Sequence, residues 1–224
     1  MQAAGRAWRG ALAALLVVLA SPAGAVVLLE SAELGAVGRL GGASITANQF
    51  VGWRFELDVP LEVTEIGGHL FSNPNFSQGN GEIFGALVRL TSLDAFPLGD
   101  PFTQDEVVAT VAFAPPFPSD QILVPLAAEL EPGSYALVFG SQLFGATGEG
   151  GLPNLDDQPD IPPTTIDSYI FYGIPGPSQP PVWRGPLASH MRFLVRGVPE
   201  PPADASALAG VAALLALALQ SSRR

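Results

Sequence analysis

Between residues 26 and 197 the hydrophobic positions recur every second residue. Val51, Trp53, Phe55 and Leu57 alternate with Gly52, Arg54, Glu56 and Asp58. That period predicts a half-buried strand with one wet face. Pro60 ends the run. Leu61 to Phe71 reads as its partner strand, with Gly67-Gly68 as the place for a bulge. Phe84, Ala86, Val88 and Leu90 form the next apolar face, followed by Val107, Ala109, Val111 and Phe113. Ile122, Val124 and Leu126 come next. Tyr135, Leu137 and Phe139 follow the turn Glu131-Pro132-Gly133. Ser168 to Tyr172, His190 to Arg196 and Val26 to Leu29 complete about nine candidate strands. No amphipathic helix interrupts them. The pattern predicts an all-β body, an antiparallel β-sandwich of jelly-roll-like connectivity.

Both ends break this pattern. Arg6 and Arg9 precede the uncharged apolar run Ala11 to Ala20, which Ser21 and Pro22 interrupt. Ala23-Gly24-Ala25 then supplies small residues at the two positions a signal peptidase reads. Residues 1–25 are therefore expected to be a signal peptide, with Val26 as the first mature residue. At the other end Ala205 to Ser222 carries no charge, and Ala207 to Leu219 is almost wholly apolar. As a helix this segment would be roughly 27 Å long, about the thickness of a bilayer core. Arg223 and Arg224 follow it. By the positive-inside rule they stay in the cytoplasm and the body lies outside.

Val198-Pro199-Glu200-Pro201 stands just before the apolar segment. Pro-Glu-Pro, an apolar span and a terminal Arg cluster, in that order, resemble the PEP-CTERM sorting signal of Gram-negative bacteria. The resemblance covers residues 198–224. It departs from the pattern in Asp204 and in an Arg cluster of two. It implies recognition of the tripeptide by the membrane protease exosortase, after transient anchoring in the inner membrane. The tripeptide suits that role. Proline lacks a backbone donor and disfavours helix at the residue before it, so Val198 to Pro202 should be extended. Proteases bind extended backbone. Phe50 to Phe55 with Leu61 to Gly67, Leu130 to Val138, and Met191 to Val198 also resemble stretches of the β-sandwich domains common in PEP-CTERM proteins. The resemblance further implies a cell-surface or extracellular destination and association with exopolysaccharide or biofilm.

Composition narrows the chemistry. The chain has 224 residues and no Cys, and all ten basic residues are Arg. Disulfides, thiolate zinc sites, a Lys Schiff base and a Walker phosphate loop are thereby excluded. The net charge of −11 disfavours nucleic acid as a partner. Without the two ends the body keeps six Arg and 19 acidic residues, a formal charge of −13. A body of about 170 residues can bury a core without disulfides.

Motifs for catalysis are missing: no GxSxG, HExxH or EF-hand loop occurs. His69 and His190, the two histidines, are far apart in sequence and read as structural or surface residues. Ser141 to Asp167 is rich in Gly and Pro and lacks a strand pattern. It carries Glu149, Asp156, Asp157, Asp160 and Asp167. Asp156, Asp157 and Asp160 offer hard oxygen ligands suited to Ca²⁺. A solvated acidic loop is the competing reading, so no metal or cofactor is assigned. Trp183, Tyr169, Phe171 and Tyr172 cluster late in the chain; core or loop packing is the first expectation for them, and stacking on sugars, should the rings be exposed, the second. The expected function is a non-enzymatic surface or matrix protein without catalytic residues. A carbohydrate-binding module and, behind it, a glycan hydrolase are the alternatives.

Overall fold

The structure is a computed structural model that describes residues 26–72, 81–154, 160–176, 178–186 and 188–199. Among the described residues twelve strands build two six-stranded sheets. In sheet one the order is β1 (Val27–Glu30), β12 (Phe193–Pro199), β4 (Leu61–Ser72), β9 (Gly150–Pro153) and β2 (Gly42–Ile45), with β7 (Asp120–Leu130) also paired to β4. Sheet two runs β11 (Val182–Arg184), β10 (Tyr169–Gly173), β3 (Gln49–Leu57), β8 (Gly133–Gly140), β5 (Ile83–Arg89) and β6 (Val107–Phe113). The strand pairs are antiparallel. Among the described residues the one helical piece is a 3-10 turn, Ile166–Ser168. The fold is thus all-β, consistent with a sandwich, and residues Val26–Val198 form a unit of their own.

Alternation dictates which residues fill the space between the sheets. Trp53, Phe55, Tyr135, Leu137 and Phe139 from sheet two meet Ile66, Leu70, Phe193 and Val195 from sheet one, all buried. Phe139 and Phe193 stack across the sheets with ring centroids 5.4 Å apart. Gly85 lets the sheets come this close: a Cβ there would lie 2.6 Å from Ile66 Cδ1. At roughly 1.5–3 kcal/mol per fully buried large apolar side chain, this cluster dominates the stability of a domain without disulfides.

Several sequence expectations need correction. Strands β2, β9 and β11 are too short, at four, four and three residues, to show a period. β9 lies inside the 141–167 segment, which is therefore not a bare loop. In β5 the residues facing the sandwich core are Ile83 and Leu87, while Phe84, Ala86, Val88 and Leu90 pack on the opposite face. That outer face is dry, so Arg54 is 7% exposed rather than wet. Its guanidinium donates to the carbonyls of Ala95 and Asp167 and lies over the Phe96 ring. Burial pushes its pKa down, opposed by Asp94 and Asp167. Finally, the bulge in β4 falls between Val63 and Glu65, not at Gly67-Gly68. The glycines serve close approach instead. A Cβ on Gly67 would collide with the Ile122 carbonyl of β7, and one on Gly68 with the Arg192 carbonyl.

Candidate functional site: an aromatic groove on the outer face of sheet two

A second apolar cluster covers the outer face of sheet two. Phe50, Phe84, Ala86, Val88, Ala136, Val138, Ile170 and Tyr172 supply its floor, and Phe96, Phe102, Leu143 and Trp183 close over it. The rings interlock. Phe84 meets Phe50 and Phe144 edge-on, with centroids 5.2 and 5.1 Å away. Trp183 lies 5.3 Å from Tyr172 and 5.7 Å from Phe102. Gly140 makes room for this array, since a Cβ there would sit 2.6 Å from the Phe50 ring and closer still to Phe84.

Beside the cluster runs an open groove of about 590 Å³. Phe102, Leu143, Phe144 and Val108 give it apolar walls, while Asp100, Thr103, Gln104 and Thr110 add polar groups. Glu106 holds the 98–103 wall in place. It is 6% exposed, and its carboxylate accepts backbone N–H groups from Leu98 (2.8 Å), Gly99 (3.4 Å) and Thr103 (2.8 Å). The opposite wall is a turn in which the Ala146 N–H donates to the Leu143 carbonyl, 2.9 Å away. Its two central residues, Phe144 and Gly145, have φ of 51° and 85°. This left-handed pair is the geometry of a type I′ turn, which favours Asn, Asp or Gly. A bulky aromatic there costs backbone energy, a kind of strain that clusters at functional sites. Phe144 is 42% exposed, so its outer face is free for a ligand.

Aromatic faces flanked by carboxylate, hydroxyl and amide groups suit sugar rings, which present apolar C–H faces and polar edges. The rings singled out from sequence take the packing role that is the first expectation for them. Tyr172 is 7% exposed and Tyr169 and Phe171 are buried. Trp183 is half-buried and donates its indole N–H to the Pro101 carbonyl, 2.7 Å away. Burial, with Asp100 adding to it, raises the Tyr172 phenol. Tyr172 and Trp183 support the groove, Tyr169 and Phe171 fill the core between the sheets, and Phe102 and Phe144 line the groove. The sequence signal for Phe144 was its place before Gly145 in a run with no strand period. Replacing Phe144 with Asn trades lost ring contacts for a relaxed backbone, and is expected to change stability by no more than about 1 kcal/mol. Urea unfolding of both forms checks this.

The acidic candidates separate. Asp156 and Asp157 lie outside the described residues. Asp160 is occupied: its Oδ1 accepts the Tyr169 hydroxyl (2.7 Å) and the His190 N–H (3.1 Å), with His190 Nδ1 3.5 Å away. Burial and Asp160 raise the Tyr169 phenol strongly, so it stays protonated as a donor. Glu149 is buried at the edge of β9. Among the described residues no group of three metal-binding side chains converges. Asp100 is the one carboxylate among the residues lining the groove.

His69 is fully buried on the outer side of β4. Its Nε2 lies 3.0 Å from Ser119 Oγ, and its Nδ1 has no hydrogen-bond partner among the described residues. Burial pushes its pKa below the ordinary 6.5; Asp120 opposes this, and Arg192 and Arg39 reinforce it. Between the folded and unfolded pKa values the unfolded chain binds more protons. Stability should therefore be steady above pH 6.5 and fall as the pH drops through and below that value. Unfolding titrations at pH 7.5 and 5.5 test this, and His69→Gln should remove this part of the pH dependence.

The Pro199-Glu200-Pro201 tripeptide begins where the fold ends. Val198 and Pro199 are the last residues of β12, and Val27 pairs with Gly197 on the adjacent β1. The body thus starts and ends on neighbouring strands. Glu200 and Pro201, Ala23 and Ala25 of the expected signal-peptide cleavage site, and Arg223 and Arg224 lie outside the described residues. So does the apolar span Ala205 to Ser222. Among the described residues no helix is long and apolar enough to cross a membrane. In comparisons with known proteins, the chain matches no family model and no curated protein sequence.

Proposed function

We propose that this chain is an exported, non-enzymatic surface or matrix protein. The signal peptide (1–25) delivers it across the inner membrane, signal peptidase cuts after Ala25, and the 205–222 span anchors it transiently. Exosortase then recognises Val198-Pro199-Glu200-Pro201 and releases or transfers the jelly-roll-like body to the envelope surface. The ordered triple of Pro-Glu-Pro, apolar span and Arg223-Arg224 carries this reading. Strands β1 and β12 support it: both junctions of the body emerge from paired neighbours, so one edge can face the membrane while the body is presented outward. The acidic charge favours solubility and repulsion from anionic surfaces.

Changing Pro199-Glu200-Pro201 to Ala-Ala-Ala is the test. Cell fractionation should find the variant retained in the membrane fraction while the unchanged protein is released. Equal release of both would exclude exosortase sorting through this motif.

The aromatic groove favours a second reading, binding of extracellular polysaccharide by the body. Asp100 alone among its lining residues offers a carboxylate, which supports binding over the two-carboxylate chemistry of glycan hydrolysis. A glycan array probed with the protein and with Phe144→Asn should give signals that the substitution abolishes. Signals equal in both forms would place sugar binding elsewhere.

A further inference from the structure

Edges of β-sheets invite pairing with other chains, and proteins blunt them with short strands, proline or charge. In this molecule β1 and β2 have four residues and β11 three. β7 is long but carries Pro125 in its middle and charges at Asp120 and Glu129. β6 has neither charge nor proline, and its one irregularity is a bulge at Val108, between the Ala109–Leu87 and Val107–Val88 pairs with β5. It spans Val107–Phe113 with the sequence VVATVAF, free of charge, proline and glycine. It pairs with β5 on one side, and among the described residues no strand pairs with its other side. Exposed apolar side chains gather here: Val108 on the strand, Leu98 and Phe117 toward its two ends, and Phe144 across the groove.

We propose that β6 pairs antiparallel with β6 of a second copy, joining the two outer sheets into one continuous sheet. The strand is suited to meeting itself. A two-fold axis through Thr110 sets Thr110 opposite Thr110, Ala109 opposite Val111, Val108 opposite Ala112 and Val107 opposite Phe113. A Thr–Thr pair and apolar pairs are favourable cross-strand neighbours. Charge selects this edge as well. For a chain of net charge −11, self-association is easiest where no acids oppose. In this register the nearest acids, Asp105 and Glu106, face Pro115 and Ala114 of the other copy, not each other. The same axis brings the Phe117 end of each copy to the Leu98 end of its mate, covering exposed apolar surface on both. Because the contact is isologous it closes as a dimer and leaves no open edge for a third copy. It would also set two aromatic grooves side by side, so that a polymeric ligand engages both and gains avidity.

The absence of cysteine allows a direct test. In full-length protein in detergent micelles, Thr110→Cys places two thiols on cross-strand neighbours with Cβ atoms about 5 Å apart. Ala112→Cys places them four residues out of register, about 13 Å apart. Under mild oxidation, T110C should run as a reducible dimer on a gel and A112C as a monomer. Thr110→Lys sets like charges directly opposite and should lower the dimer fraction at least tenfold in sedimentation, with unchanged circular dichroism. Absence of the T110C cross-link, or equal cross-linking of A112C, would overturn the proposal. An unaltered dimer fraction in T110K would do the same.

Discussion

Phe139→Ala is expected to destabilise the body by about 3–5 kcal/mol, the range for deleting a fully buried phenylalanine ring. In a domain of this size each kcal/mol lowers the melting temperature by roughly 2–4 °C, so a fall on the order of 10 °C should appear in a thermal scan. The position explains the size. Phe139 is fully buried, stacks on Phe193 of the other sheet, and meets Phe113 edge-on at 6.0 Å. Its ring also covers the space that Gly85 leaves empty, where a Cβ would lie 3.2 Å from it. Neighbouring backbones are tied by the Val51–Phe139 and Gly85–Phe139 pairs, so they cannot collapse into the hole. A loss below about 1 kcal/mol would mean that the sheets slide together after all.

The same crowding explains what sequence could and could not reveal. Where one face of a strand is buried and the other wet, the alternation is plain. Val51 to Leu57 and Tyr135 to Phe139 point their apolar sides inward as expected. β5 misleads because both of its faces are dry. Ile83 and Leu87 enter the sandwich while Phe84, Ala86 and Val88 meet the outer cluster, and the larger side of the pattern is the outer one. The layer over that cluster comes from residues 96, 102, 143 and 183, brought together from two connections and the short strand β11 with no shared period. The aromatic groove therefore had no local signature, although its rings did. The Gly67-Gly68 pair was visible as an interruption, but glycine permits a bulge and a close approach alike, and only the positions of Ile122 and Arg192 decide between them. Asp160 shows the limit for single residues. Its acidity leaves a solvated loop and a calcium ligand as alternatives, whereas the fold gives its oxygen to Tyr169 and His190. The C-terminal order of Pro-Glu-Pro, apolar span and Arg pair is different in kind. Its information is a linear order of residues, so it is legible without any fold.

Glu106→Ala should release the wall of the groove. Its carboxylate anchors three backbone N–H groups, at Leu98, Gly99 and Thr103, and no other acceptor is shown for them. Hydrogen bonds to a charged acceptor contribute roughly 1.5–3 kcal/mol each, but the three act as a unit and the freed groups can partly reach water. A net loss of about 3 kcal/mol follows, concentrated in the connection rather than in the sandwich. Hydrogen exchange should show the difference. The amides of Leu98, Gly99 and Thr103 should exchange faster, while those of β3 and β8 keep their order of protection. Phe102 is carried on this same connection and packs against Phe50, Phe84, Phe144 and Trp183. Freeing the wall therefore loosens one ring of the groove as well, and any glycan signal that depends on Phe144 should fall with it. Glu106→Gln keeps one acceptor oxygen and should give an intermediate loss. If the alanine variant exchanged at Leu98 and Thr103 as slowly as the unchanged protein, the wall would be held by ring packing and not by the carboxylate.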